Sequence, residues 1–185
     1  MPPRLRKLAL TAHVTASVGW LGAVATFLAL AVAGLVGHDA QRVRAAYVAM
    51  QTTTWFVIVP LSLASLLTGL VSSLGTPWGL FRHYWVVAKL LLTVLATVVL
   101  LLHTGPIDHV ADAAAKADLS GDDLRPLRVQ LAADAVAALL VLLAATVLAV
   151  YKPRGLTPYG RRKRREGRDA PPTPRPVPDA PAHGP

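Results

Sequence analysis

The sequence predicts an all-α, polytopic membrane protein, with four transmembrane helices in an up-down bundle and a disordered C-terminal tail. Its apolar residues are concentrated in four long stretches, at about 8–36, 55–74, 85–103 and 129–151, with charged connections between them. About 20 apolar residues cross the ~30 Å hydrocarbon core as a helix, so each stretch is long enough, or nearly so. Only 16% of the 185 residues are charged, against ~25% in soluble domains.

The first stretch, 8–36, is longer than the bilayer requires, so we expect the helix to tilt or to project at its Gly34–Gly37 end. Three basic residues precede the stretch and Ala31-Val32-Ala33 would suit a cleavage site, which are features of a signal peptide. However, its apolar run from Leu8 to Leu30 has 23 residues, against ~7–15 in a signal core. We therefore expect a retained helix.

The second stretch carries two features that shape a helix. Pro60 is expected to kink it. Ser65, Gly69 and Ser73 recur every four residues, and such a small-residue stripe lets helices approach closely in a membrane. Before this stretch, residues 37–54 contain a segment that could extend the same helix outward.

Turn signals separate the remaining helices. Residues 75–85 combine helix breakers with four aromatic rings, as expected of a turn at the membrane interface. In the longest connection, residues 111–117 have helix-forming composition. Ser120–Asp123 resembles a capping box that opens the fourth helix, and Pro126 then falls in its first turn.

The charge distribution predicts the orientation. The net charge is +9, and thirteen of the 19 basic residues fall on the side of the two chain ends. Basic residues beside transmembrane helices stay cytoplasmic. We therefore expect a multi-pass protein of the bacterial inner (plasma) membrane with both termini in the cytoplasm.

The chain divides into a transmembrane domain, 1–152, and a basic, Pro-rich tail, 153–185, that we expect to be disordered. The tail contains a polybasic run, and next to a membrane this predicts binding to anionic lipid head groups rather than to nucleic acid. The run consists of Arg161, Arg162, Lys163, Arg164 and Arg165.

Several classes of chemistry are excluded or lack support. No cysteine is present, so disulfides, thiolate metal sites and cysteine nucleophiles are excluded. The sequence has no nucleophile elbow, phosphate loop, HExxH or dinucleotide fingerprint. We therefore expect a protein that is not an enzyme and that holds no cofactor, with a metal ion as the one exception considered below.

Three ionisable residues at membrane depth are the candidates for function: His13, Lys89 and Asp134. A neutral His13 could bond Ser17 or a carbonyl, or it could be a ligand or proton relay. For Lys89 we expect snorkelling to the cytoplasmic head groups, the alternative being a bound anion or a quinone-like head group. For Asp134, an interfacial and a functional role both stay open.

Imidazole and carboxylate groups also gather on the outer side. His103, His109 and Asp134 are the candidate ligands of a zinc or copper(II) site, and Asp108-His109-x-x-Asp112 has helical spacing. A bis-histidine haem is disfavoured, because we place His13 near the inner surface and His103 near the outer one.

Four motifs carry a resemblance to a known family. They are His13 with Trp20-Leu21-Gly22, residues 76–81, residues 84–89, and His103-Thr104-Gly105-Pro106. Over roughly Leu5–Lys152 the chain resembles an uncharacterised family of small four-helix integral membrane proteins of actinobacterial type. More distantly, the histidine and Trp-x-Gly of the first helix are similar to those of copper-resistance D-type membrane proteins, a resemblance that implies copper handling.

These observations give a leading hypothesis and two alternatives. We expect a non-enzymatic bundle that acts as a scaffold or subunit, with a membrane-protein partner or a second copy of itself. The first alternative is a metal- or redox-linked membrane protein that handles copper or zinc. The second is transport of a small solute or protons.

Overall fold

A computed structural model describes residues 2–74, 84–116, 124–151, 155, 157, 158, 161 and 162. The helical elements of the membrane domain are α1 (Pro3–Val36), α2 (Ala40–Thr53), a π-helical turn (Thr54–Ile58), α3 (Val59–Leu74), α4 (Tyr84–Leu102), α5 (Thr104–Ala115) and α6 (Leu124–Tyr151). No β-strand occurs in the residues described.

These elements form four helical rods, each with a segment long and apolar enough to cross a membrane. α1 and α6 are the first and fourth rods, α2 to α3 form the second (Ala40–Leu74), and α4 with α5 forms the third (Tyr84–Ala115). The chain is therefore an all-α multi-pass membrane protein, which confirms the predicted fold class. We call the end with the start of α1 and the end of α6 the near end, and the opposite end the far end.

The first rod begins at Pro3, five residues before the predicted span, and ends at Val36 as predicted. Proline is tolerated in a first helical turn because the N–H it lacks would have no partner there. With 34 residues, α1 is ~51 Å long, about 20 Å more than the hydrocarbon core. Its end is satisfied by the Gly37 N–H, which donates to the Ala33 carbonyl at 3.0 Å.

The second rod shows the predicted outward extension as α2. Asp39 caps this helix, since its Oδ1 accepts the Arg42 N–H at 2.9 Å. A π-helical turn, Thr54–Ile58, then lies directly before Pro60. Because Pro60 has no N–H to donate, the regular α-helical ladder cannot continue there, and a π-helical turn is a common form of such an irregularity.

The third rod is interrupted at His103, between α4 and α5. Pro106 explains the break, because its ring would clash with the carbonyl of Leu102 in a continuous helix. In the fourth rod Pro126 is the third residue of α6, as predicted. The proposed capping box at 120–123 and most of residues 75–85 and 153–185 lie outside the described residues.

The rods form a ring in which neighbours along the chain pack together and α6 closes on α1. The small-residue stripe of α3 faces α1. Ser65 Oγ lies 2.8 Å from Ser17 Oγ, and a Cβ on Gly69 would stand 2.9 Å from His13 Cε1. The stripe thus serves packing within this chain, in accordance with the close approach that small residues permit.

The buried core lies mainly in the far-end half, where α2 and α5 join the ring. Its largest members are Trp20, Phe27, Tyr47, Met50, Ile58, Val110 and Leu131. Large apolar side chains also cover the outside of the rods, Phe56 being 79% exposed. In a membrane protein this outer surface is solvated by lipid, so its apolar character is expected.

Candidate functional site

A cavity of about 200 Å³ lies in the far-end half of the bundle, between α4 and α6. Trp20, Val24 and Phe27 of α1 form its floor and are buried. The side walls come from residues 95–100 of α4, from His103 directly after α4, and from residues 131–141 of α6. The rise from position 95 to position 103 is ~12 Å along a helix, so the cavity is an elongated slot along the helix axes.

The slot opens on the outer surface of the bundle. Leu95 and Val99 of α4 and Ala137 of α6 line it and are themselves exposed. Because this surface faces lipid in a membrane, a molecule dissolved in the bilayer can reach the slot without passing through water.

His103 and Asp134 form an ionisable pair in the lining of the slot. His103 Nδ1 is 2.8 Å from the Val99 carbonyl oxygen. A carbonyl oxygen only accepts, so Nδ1 carries a hydrogen. His103 Nε2 is 3.2 Å from Asp134 Oδ2. Two lone pairs would repel at this distance, so the geometry requires a proton on one of these two atoms.

The Asp134 carboxylate is incompletely satisfied. Nε2 and Oδ2 are close but not aligned as a hydrogen bond, and the buried Oδ2 has no hydrogen-bond partner in the part of the chain that is described. An unsatisfied buried oxygen is costly, and such an atom calls for an explanation such as a functional role or a bound molecule. The pair therefore places an unsatisfied acceptor beside an apolar slot.

The structure brings together two of the three predicted metal ligands. His109 is exposed on α5 and does not join His103 and Asp134. Among the described residues no group of three or more metal-ligating side chains occurs. Gln130 is a further polar neighbour of His103, its amide nitrogen lying 3.5 Å from His103 Nε2.

The other two candidates, His13 and Lys89, meet in the near-end half. Lys89 Nζ lies 3.1 Å from His13 Nε2. His13 Nδ1 lies 3.0 Å from the Ser65 carbonyl oxygen and 3.3 Å from Thr68 Oγ1. The carbonyl requires a hydrogen on Nδ1, which leaves the Nε2 lone pair to accept from the lysine. This arrangement joins α1, α3 and α4.

The structure gives each of these residues a partner. Lys89 contacts His13 of the neighbouring helix, and its snorkelling to the cytoplasmic head groups stays a prediction. His13 does bond a carbonyl, that of Ser65 on the neighbouring helix, while Ser17 bonds the Ser65 hydroxyl. The two histidines His13 and His103 lie at opposite ends of the bundle, as expected from their positions.

Sequence reasoning missed the role of Asp108. Its Oδ1 accepts from Gln51 Nε2 at 2.9 Å and from the Trp55 indole at 3.0 Å, which ties α5 to the second rod. Asp108 is thus satisfied by protein donors. Its helical spacing to Asp112 was visible in the sequence, but its partners lie more than fifty positions away.

A second missed contact closes the far end. Arg128 Nε donates to Tyr47 Oη at 2.8 Å, Nη2 donates to the Gly34 carbonyl, and the guanidinium carbon is 5.2 Å from the centre of the Tyr47 ring. Gly34 is in the last turn of α1, where carbonyls lack helical partners. A Cβ there would stand 2.7 Å from Tyr47 Cζ, so this close approach requires glycine.

The polybasic run of the tail is described only at Arg161 and Arg162. The Arg161 N–H donates to the Thr157 carbonyl at 2.9 Å, as in a helical turn, and Arg162 also has an interaction partner. Lys163, Arg164 and Arg165 lie outside the described residues. Lipid binding by this run stays a prediction.

Comparison of the chain with protein-family models, with curated proteins and with solved structures gave no match in any of the three.

Proposed function

We propose that this protein is a non-enzymatic, multi-pass protein of the bacterial plasma membrane that binds a lipid-soluble ring compound bearing a carbonyl-type acceptor. The observation that carries the proposal is the slot between α4 and α6, whose lining is apolar apart from His103 and Asp134. Pockets with this composition, a few convergent polar groups in an apolar cavity, are typical small-molecule sites.

The volume of the slot supports a ring of one or two fused cycles. An apolar cavity of ~150 Å³ can hold benzene, and the slot measures about 200 Å³. The pair supports an acceptor group on the ligand, because a proton on His103 Nε2 or on Asp134 Oδ2 could be donated to a carbonyl oxygen. A hydrogen bond to a charged group contributes ~1.5–3 kcal/mol, enough to orient such a ligand.

The structure removes one argument for a scaffold. The small-residue stripe that suggested a helical partner is covered by α1 of the same chain. We therefore favour ligand binding over a scaffold or subunit as the primary function. Both termini are proposed to face the cytoplasm, since the near end carries the excess of basic residues.

The test uses two matched probes, 2,3-dimethyl-1,4-naphthoquinone and 2,3-dimethylnaphthalene, which share a ring system and differ in the carbonyls. Equilibrium dialysis of protein in nanodiscs against empty nanodiscs corrects for partition into lipid. We expect saturable binding of both probes, with the quinone bound ~10-fold more tightly, the equivalent of one hydrogen bond of ~1.4 kcal/mol.

A steric variant locates the binding. Ala138 lines the slot and is half-buried, whereas Ala144 of the same helix is exposed and does not line it. Ala138→Phe should abolish saturable binding, and Ala144→Phe should leave it unchanged. Two results would refute the proposal and show that the slot holds only lipid chains. One is uptake of the probes by protein nanodiscs that equals their partition into empty nanodiscs, and the other is saturable binding that survives Ala138→Phe.

A further inference from the structure

The near-end half of the bundle contains a lysine ammonium that has no carboxylate partner among the described residues. Lys89 donates to His13 Nε2, and the Ser65 carbonyl holds the hydrogen of His13 on Nδ1. His13 is thus neutral while it accepts from an ammonium group. The histidine satisfies one N–H of Lys89 and contributes no opposite charge.

No carboxylate of the described residues is placed to supply that charge. The acidic residues that the structure describes are Asp39, Asp108, Asp112 and Asp134, and all four belong to the far-end half. Within the described residues the ion pair of the bundle is that of His103 with Asp134, on the opposite half from Lys89. An ionised group at membrane depth normally has a partner of opposite charge or a functional reason.

The surroundings of Lys89 favour an anion from outside. The ammonium has three N–H donors, and the bond to His13 uses one. On α3, Ser72 lies one turn beyond Thr68 on the same helix face, and its buried hydroxyl has no hydrogen-bond partner in the described part of the chain. A phosphate group has several oxygens that accept such bonds and prefers charged donors.

The depth of the pair fits a lipid head group. Lys89 is five residues into α4, and His13 is six residues beyond the basic Lys7 in α1, which places the pair ~7–9 Å from the ends of the apolar segments. Both side chains are half-buried rather than enclosed. Exposed Arg4, Arg6 and Lys7 at the same end would attract anionic lipid toward this position.

We infer that Lys89, held by His13, binds the phosphate of an anionic phospholipid in the near-end leaflet. The phosphate would neutralise the ammonium and take its remaining N–H groups. The site is separate from the slot between α4 and α6, and it differs from the tail run in that it would hold one lipid at a defined position between α1, α3 and α4.

The experiment is native mass spectrometry of the full chain, released from nanodiscs that contain equal amounts of phosphatidylglycerol and phosphatidylcholine. We expect the wild type to retain one phosphatidylglycerol in preference to phosphatidylcholine. Lys89→Gln should lose that lipid, whereas Lys89→Arg and the surface control Lys7→Gln should keep it. Loss from Lys7→Gln alone, or retention by Lys89→Gln, would overturn the assignment.

A second measurement requires no variant at Lys89. Reductive methylation of the wild type, followed by peptide mass spectrometry, reports the access of reagent to Lys89 relative to Lys7. In phosphatidylglycerol the rate at Lys89 relative to Lys7 should fall from its value in phosphatidylcholine, because a bound phosphate covers the Lys89 amine, whereas the general attraction of an anionic surface acts on both lysines and cancels in the ratio. An unchanged ratio would contradict a bound anionic lipid.

The source of the phosphate is tested with inorganic phosphate. If the phosphate belongs to lipid, millimolar inorganic phosphate added to protein in phosphatidylcholine should not protect Lys89 from methylation. Protection of Lys89 by inorganic phosphate to the same extent as by phosphatidylglycerol would assign the site to a soluble phosphate compound and refute the lipid assignment.

Discussion

Arg128→Ala should destabilise the bundle by removing the contact that closes its far end. The guanidinium donates to Tyr47 Oη and to the Gly34 carbonyl and lies against the Tyr47 ring. Hydrogen bonds to a charged group contribute ~1.5–3 kcal/mol each, and a cation–π contact contributes ~0.5–2 kcal/mol. Because Arg128 is half-buried, solvent lowers these contributions, and we expect a loss of about 2–4 kcal/mol in the free energy of unfolding.

Arg125 provides a matched control. It is an arginine three residues earlier in α6, and it is exposed. Arg125→Ala should therefore change the free energy of unfolding by less than ~0.5 kcal/mol. Tyr47→Phe, which removes only the hydroxyl that accepts from Arg128, should cost about 1 kcal/mol.

The assay is reversible unfolding in mixed micelles with increasing mole fraction of denaturing detergent, followed by far-UV circular dichroism. Among Arg128→Ala, Tyr47→Phe and Arg125→Ala, we expect Arg128→Ala to be the least stable variant and Arg125→Ala the most stable. Unfolding of Arg128→Ala and Arg125→Ala at the same detergent mole fraction would refute a stabilising role for the Arg128 contact.

Three further predictions use the same kind of comparison. Gly69→Ala should cost ~1–3 kcal/mol in the same unfolding assay because its Cβ would overlap an imidazole held on both sides, whereas Gly22→Ala, with nothing within 4 Å of the new Cβ, should not destabilise. Asp108→Ala should shift the fluorescence emission of Trp55, whose indole loses its acceptor. The exposed Asp112→Ala is the control, and the same emission spectrum from both variants would contradict this prediction. Reporter fusions at the two chain ends should both be active in the cytoplasm, and opposite locations would overturn the four-span topology.

The architecture was predictable because its signals are local. Four apolar stretches determine the number of rods, since lipid requires every spanning segment to satisfy its own backbone as a helix. Pro60 predicted a kink and Pro126 a helix start; the structure has a π-helical turn that ends two residues before Pro60, and it places Pro126 in the first turn of α6. The Ser65 stripe predicted a close helix contact, because only small side chains allow it. Each of these inferences needs a single segment of chain.

The candidate site depended on long-range contacts. The sequence placed His103 and Asp134 on the same side of the membrane, but it contained no signal that their side chains meet at the end of an apolar slot. It also contained no signal that Lys89 and His13 meet, because the two residues lie 76 positions apart in the sequence.

The sequence by itself thus determined that this chain crosses the membrane four times as helices, because hydrophobicity and helix breakers act over one or two turns. Only the tertiary structure decided which polar groups meet. That choice depends on the rotation of each helix about its axis and on which helices are neighbours, and packing of the whole bundle sets both. Arg128 and Tyr47, 81 positions apart, are paired by that packing alone.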